Sequence, residues 1–210
     1  MACEIVSQMC VANQMQFYSA AVSDLTYPIP SQDVDIIVLT DMDAEEIKDL
    51  LVSTDSKFFA VPSANPDATY HVLWYSLPAP RSATRCCKVD ILTPMGDLLI
   101  PNIPVRRITY IARFPDIPVI PLLALLILKL QGWTDHRDDN RQFMRDKQPN
   151  DEDDINELLV LALEEYGVEL QTEKWMPRSF VRRAKQRVAQ FVEDFPDSAD
   201  YWNEIGFMIS

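Results

Sequence analysis

Residues 33–40, Asp-Val-Asp-Ile-Ile-Val-Leu-Thr, constrain this chain more than any other stretch. The β-branched run 36–38 is bounded by turn-forming residues on both sides and is too short for a buried helix, so it reads as a strand. Two carboxylates stand at its start. Side chains two apart on a strand share a face, so Asp33 and Asp35 should lie side by side where the strand leaves the core. Such a pair wants a cation, and a hard ion such as Mg2+ or Mn2+ is held by one or two carboxylates while a phosphate completes its shell.

Punctuation divides the rest. Ile5, Met9 and Ala12 have helical spacing, so residues 1–27 read as an N-terminal helical segment before Pro28 and Pro30 extend the chain. Residues 44–52 form an acidic-first-turn amphipathic helix with Ile47, Leu50 and Leu51 inward. Residues 57–61 and 69–77 are aromatic and branched around the turn chemistry of 62–67, which predicts a hairpin in which His71, Trp74 and Tyr75 pack into the sheet. In the following strand, 86–92, Cys86 and Cys87 face opposite sides, and Lys88 and Asp90 share one face while Val89 and Ile91 share the other. A short strand near 108–111 precedes a buried helix over 119–132 that ends at Gly132. Residues 134–154 read as a charged loop, with Asn150 or Asp151 capping a helix from 151 to about 166. Further helices are expected over 178–193 and within 198–208. The fold class is α+β: a mixed sheet over 28–116 with flanking helices and a helical C-terminal region over 117–210 packed on it.

Composition narrows the function classes. With 19 Lys and Arg against 32 Asp and Glu, the formal charge of −13 opposes polyanion binding through the whole surface, so any RNA contact needs a local basic patch. Four cysteines (Cys3, Cys10, Cys86, Cys87) lack the density of a disulfide framework, which favours a reducing, intracellular (cytoplasmic) setting. With His71 and His136 they also lack zinc-site spacing. No secretory signal is apparent, and the apolar run 117–128 is interrupted by prolines and too short to span a bilayer, so no membrane partner is expected.

Asp33-Val34-Asp35-Ile36 followed by Lys88-Val89-Asp90-Ile91 resembles the nucleotidyltransferase superfamily, with its two-carboxylate strand and a third acid on a neighbouring strand. Lys129, Arg137 and Asp151-Glu152-Asp153-Asp154-Ile155 with Leu158 are similar to the closing motif of AbiEii-type, toxin-like nucleotidyltransferases and related fungal proteins. The resemblance covers roughly residues 29–160. It implies that Asp33, Asp35 and Asp90 are catalytic and hold Mg2+ or Mn2+, that Lys88, Lys129, Arg137 and Lys147, with Arg141 and Arg145, reach the phosphates of a nucleoside triphosphate, and that a nucleoside monophosphate passes to an acceptor. One family element is missing. The Gly-Gly or Gly-Ser that lets backbone N–H groups approach phosphate before the first aspartate has no counterpart, since the first glycine is Gly96; only Ser19 and Ser23 lie near the expected spacing. The resemblance therefore implies an activity weakened or lost.

Plainer readings compete residue by residue. A strand-initial Asp pair also serves turns and caps, Lys129 also snorkels from a core helix, Asp151, Asp153 and Asp154 also favour a helix N-terminus, and the basic 178–187 face also serves simply as a solvated surface. Two alternative functions follow: a non-catalytic acidic module that binds a protein partner on the same fold, and a toxin-like enzyme that modifies tRNA.

Overall fold

The computed structural model describes residues 16–19, 33–78, 85–94, 99–111 and 114–209. They fall into two compact units, one within Met1–Asn102 and Ile108–Val119, the other within Ile103–Arg107 and Ile120–Ser210.

The first unit holds the sheet. Its strands are β1 (Gln16–Ser19), β2 (Asp33–Leu39), β3 (Phe58–Pro62), β4 (His71–Leu77), β5 (Arg85–Leu92), β6 (Thr109–Ile111) and β7 (Phe114–Val119), in the spatial order β3-β4-β5-β2-β1-β7-β6. The β2–β5 and β1–β7 pairs are parallel and the other neighbours antiparallel, a mixed sheet. Helix α1 (Ala44–Thr54) begins in a capping box, in which the Asp43 carboxylate accepts from the Glu45 N–H and Glu46 reaches back to the Asp43 N–H. It buries Ile47 and Leu51 against Ile36, Val38, Phe58, Leu73, Tyr75, Val89 and Ile91, which form one face of the sheet. Phe58 and Tyr75 meet edge to face at 4.8 Å. The predicted hairpin is present, with Phe58 opposite Tyr75.

Residues 16–19 depart from the helix expected in 1–27. They pair with β2, where Phe17 and Tyr18 suit a pleated ladder better than a helix lacking caps. Ile5, Met9, Ala12 and Ser23 lie outside the described residues.

The second unit contains α2 (Leu122–Asp138), α3 (Gln142–Arg145), α4 (Gln148–Val160), α5 (Arg178–Asp194) and α6 (Ala199–Ile205). Helix α2 does not end at Gly132. It continues for six more residues because Trp133 and Thr134 remain in the core, Trp133 meeting Phe191 at 5.0 Å and the Thr134 hydroxyl donating to the Leu130 carbonyl at 2.9 Å. The charged loop expected over 134–154 is mostly helical. Neither Asn150 nor Asp151 caps α4, which starts at Gln148 behind Lys147, with Pro149 in the first turn, where a missing N–H leaves no intrahelical bond unmade. The helix expected to run to about 166 ends as α at Val160 and continues as a π turn through Glu165. Among the described residues, no helix is long and apolar enough to cross a membrane.

Two glycines report these backbone differences with opposite signs. Gly132 lies inside α2 with open space where a Cβ would stand, whereas Gly206 closes α6 at φ +109°. Gly132→Ala is expected to stabilise the protein by about 0.5–1 kcal/mol and Gly206→Ala to destabilise it by about 1–3 kcal/mol, as measured by urea midpoints; a destabilised Gly132→Ala would contradict the continuous helix.

Candidate functional site

The parallel register of β2 and β5 builds the candidate site. Asp33 lies opposite Lys88 and Asp35 opposite Asp90, while Val34, Val89, Ile36 and Ile91 alternate onto the face that packs under α1. Because registered partners in a sheet share a face, the three acids and the lysine come together on the side away from that core. The apolar alternation fixes this arrangement. A one-residue slip would bury the carboxylates and expose the valines.

Lys88 sits among the acids. Its Nζ donates to Asp90 Oδ2 at 2.6 Å and lies 3.8 Å from Asp33 Oδ2. Burial draws the ammonium pKa down, but the hydrogen bond from Lys88 to Asp90 and the charges of Asp90, Asp33 and Asp35 outweigh it and hold the lysine above its ordinary value. All three carboxylates therefore act on one internal cation. Neighbouring Cys87 is pushed up by burial and by the charge of Asp33.

The same face carries an aromatic row. Trp74 on β4 is the antiparallel partner of Lys88, and Phe59 on β3 is the partner of Trp74, so Phe59, Trp74, Lys88 and Asp33 line up across four strands. Tyr75 and Trp74 part company here: Tyr75 is fully buried in the core and Trp74 is half-buried beside the charged groups. His71 also differs from the expected packing. It is exposed, its ring Nδ1 3.0 Å from Glu45 Oε2, with Glu45 further held by Lys48 at 2.6 Å.

Three carboxylates on one face suit the oxygen preference of Mg2+ or Mn2+. As they stand, however, no three His, Cys, Asp or Glu residues among those described are grouped to hold a metal, and the Lys88 ammonium neutralises Asp90 directly. A divalent ion would have to compete with that ammonium.

The remaining predicted phosphate ligands belong to the second unit. Lys129 donates to Asp154 at 2.7 Å, and Asp154 is thereby a tether between α2 and α4 rather than a capping acid. Arg137 bonds Asp138 at 2.9 Å, lies 3.7 Å from Asp194 and stacks 4.8 Å from the Trp133 ring; its hydrogen bond to Asp138 is the main reason that its pKa is raised. Lys147 is exposed just before α4, and Arg141 grips Asp139, whose carboxyl its hydrogen bonds draw down to about 2. The sequence offered no sign of the next pair. His136 Nδ1 approaches Asp151 Oδ2 at 2.5 Å; burial raises the Asp151 pKa, and His136 and Lys129 offset part of that rise.

No family model matches the chain, and no curated protein is similar to it in sequence. By structure it is similar to an antigenic nucleotidyltransferase-like protein from Paracoccidioides brasiliensis, with a TM-score of 0.64 at 15% identity over 97% of this chain and 91% of that one. The chain has a nucleotidyltransferase-like fold.

Removing Lys88 should expose the cost of crowding the acids. Since Lys88, Asp33 and Asp90 are each about a third to a half exposed, solvent screening limits the effect, and Lys88→Met is expected to lower stability at neutral pH by no more than about 1 kcal/mol. A folded-state pKa raised above the unfolded one means that this contribution is complete below the ordinary lysine value and is lost only as pH rises through the folded value. Urea titrations at low and high salt check this: the wild-type advantage should shrink in salt, and an advantage indifferent to salt would contradict the ion-pair account.

Proposed function

We propose that this chain binds a nucleoside triphosphate together with Mg2+ or Mn2+ on the Asp33, Asp35 and Asp90 face, and that its capacity to transfer a nucleoside monophosphate is weakened or lost. The observation that carries the reading is the β2–β5 register, which sets Asp35 opposite Asp90 on the half-buried face, away from α1, of a nucleotidyltransferase-like sheet. When bound, a divalent ion would supply charge stabilisation to the phosphate oxygens. The chain's own groups have separate roles. Asp33, Asp35 and Asp90 would supply oxygen ligands, and Asp90 would accept the proton of an acceptor hydroxyl. Lys88 turns from Asp90 toward a phosphate, and Trp74 offers a flat surface for the base one strand beyond Lys88.

The weakened transfer follows from two features. Lys88 already neutralises Asp90, so the acid must lose that partner before it serves as a ligand or base. The sequence also lacks a glycine before Gly96, where the resemblance expects a phosphate cradle. The same neutralisation favours one second reading, an acidic module that keeps the fold and binds a protein partner without nucleotide.

Calorimetry separates the two. With Mg2+ present, wild type is expected to bind at least one of the four ribonucleoside triphosphates, Asp35→Asn to weaken binding at least about tenfold, and Trp74→Ala to weaken it about tenfold without altering the metal requirement. Wild type indifferent to every triphosphate, with and without Mn2+, would remove the nucleotide reading and leave the interaction module. Labelled-nucleotide transfer onto total RNA tests the tRNA-modifying alternative.

A further inference from the structure

Helix α5 carries a charge pattern opposed to that of the whole chain. Its 17 residues contain Arg178, Arg182, Arg183, Lys185 and Arg187 against Glu193 and Asp194, in a protein of net charge −13. The placement also opposes what helix stability favours. Cations gather in the N-terminal half and acids close the C-terminal end, the reverse of the arrangement the helix dipole rewards, and no side chain caps the N-terminus. A local rule broken this way without a packing gain points to a surface kept for something else.

The geometry separates two stripes. Phe180, Ala184, Val188 and Phe191 are buried and bind α5 into its own unit. Arg178, Arg182 and Lys185, spaced i, i+4, i+7, run along the opposite side over about 10 Å of helix, whereas Arg183 lies about 100° around the helix from Arg182. All four are exposed, and none makes an ion pair among the described residues. Arg187 is different: it is half-buried and feels the charge of Asp135, while burial and Arg183 lower its pKa.

We infer that this face of α5 docks the phosphate backbone of a nucleic-acid strand. The charge is complementary, and the chemistry of the face discriminates among occupants. No large apolar side chain of α5 is exposed, so the face lacks the anchors around which protein interfaces form. Its apolar stripe is already in the core and is not available to enter a membrane surface. Three aligned cations on a helix that exposes no aromatic side chain suit sequence-independent contact with phosphates, which needs only charge. The inference is independent of triphosphate binding at Asp35.

The test is fluorescence anisotropy on the full chain with labelled oligouridine and oligothymidine strands of roughly 20 nucleotides. Three phosphate contacts predict a log–log salt slope of about −2, hence about 20-fold weaker binding on going from about 50 to about 200 mM salt. Arg182→Glu with Lys185→Glu, both at exposed positions, should keep the wild-type melting temperature, weaken binding at least about tenfold and cut the slope to about a third. Equal affinity for both strands supports pure backbone contact, and preference for RNA supports added contact with the 2′-hydroxyl. No binding at the lower salt, unchanged binding by the folded double variant, or self-association abolished by the same two substitutions in place of strand binding would overturn the inference.

Discussion

The parallel pairing of β2 with β5 is the constraint on which the sheet unit depends. It must satisfy two demands at once, the burial of Ile36, Val38, Val89 and Ile91 beneath α1 and the placing of Asp33, Asp35, Lys88 and Asp90 on the other, less sheltered side. Strand periodicity meets both with one register, and no neighbouring register meets either. The acids are therefore brought together by the hydrophobic pattern of the residues between them. Lys88 makes that tolerable, since three carboxylates on one face would otherwise repel each other in partial shelter from water.

Much of this was legible because alternation is a local property. Asp33 and Asp35 on one side, Lys88 and Asp90 on one side, and the hairpin of β3 and β4 all follow from period-two patterning and turn chemistry. What the sequence could not convey was register between strands. Trp74 reads as one aromatic among several in 71–77, and only its pairing opposite Lys88 places it on the acidic face. The direct contact between Lys88 and Asp90, by contrast, was implicit in their i, i+2 spacing on one strand face.

The helical unit shows the opposite balance. Apolar helices were evident, but their ends were not, because tertiary contacts carried α2 past Gly132 and because Pro149 fits inside the first turn of α4 as well as before it. Charge density over 134–154 suggested a loop, yet those charges act as ties between helices: Lys129 to Asp154, His136 to Asp151, and Trp133 Nε1 to Glu152 at 3.4 Å. These contacts account for acids and bases that composition alone would assign to solvent. Against them, the exposed cations of α5 stand out by making no ion pair among the described residues.

The central claim is that Asp33, Asp35 and Asp90 form one cation-responsive face in a chain whose 32 acids offer many weaker attractions for a metal. Paramagnetic broadening by Mn2+, read residue by residue from backbone amides in the presence of a nucleoside triphosphate, tests it most directly. The account predicts that substoichiometric Mn2+ broadens residues 33–37 and 88–92 first, and that Asp35→Asn abolishes this selectivity. Broadening that begins at the acids of α4 or α6, or that spreads evenly over the surface in wild type, would contradict it.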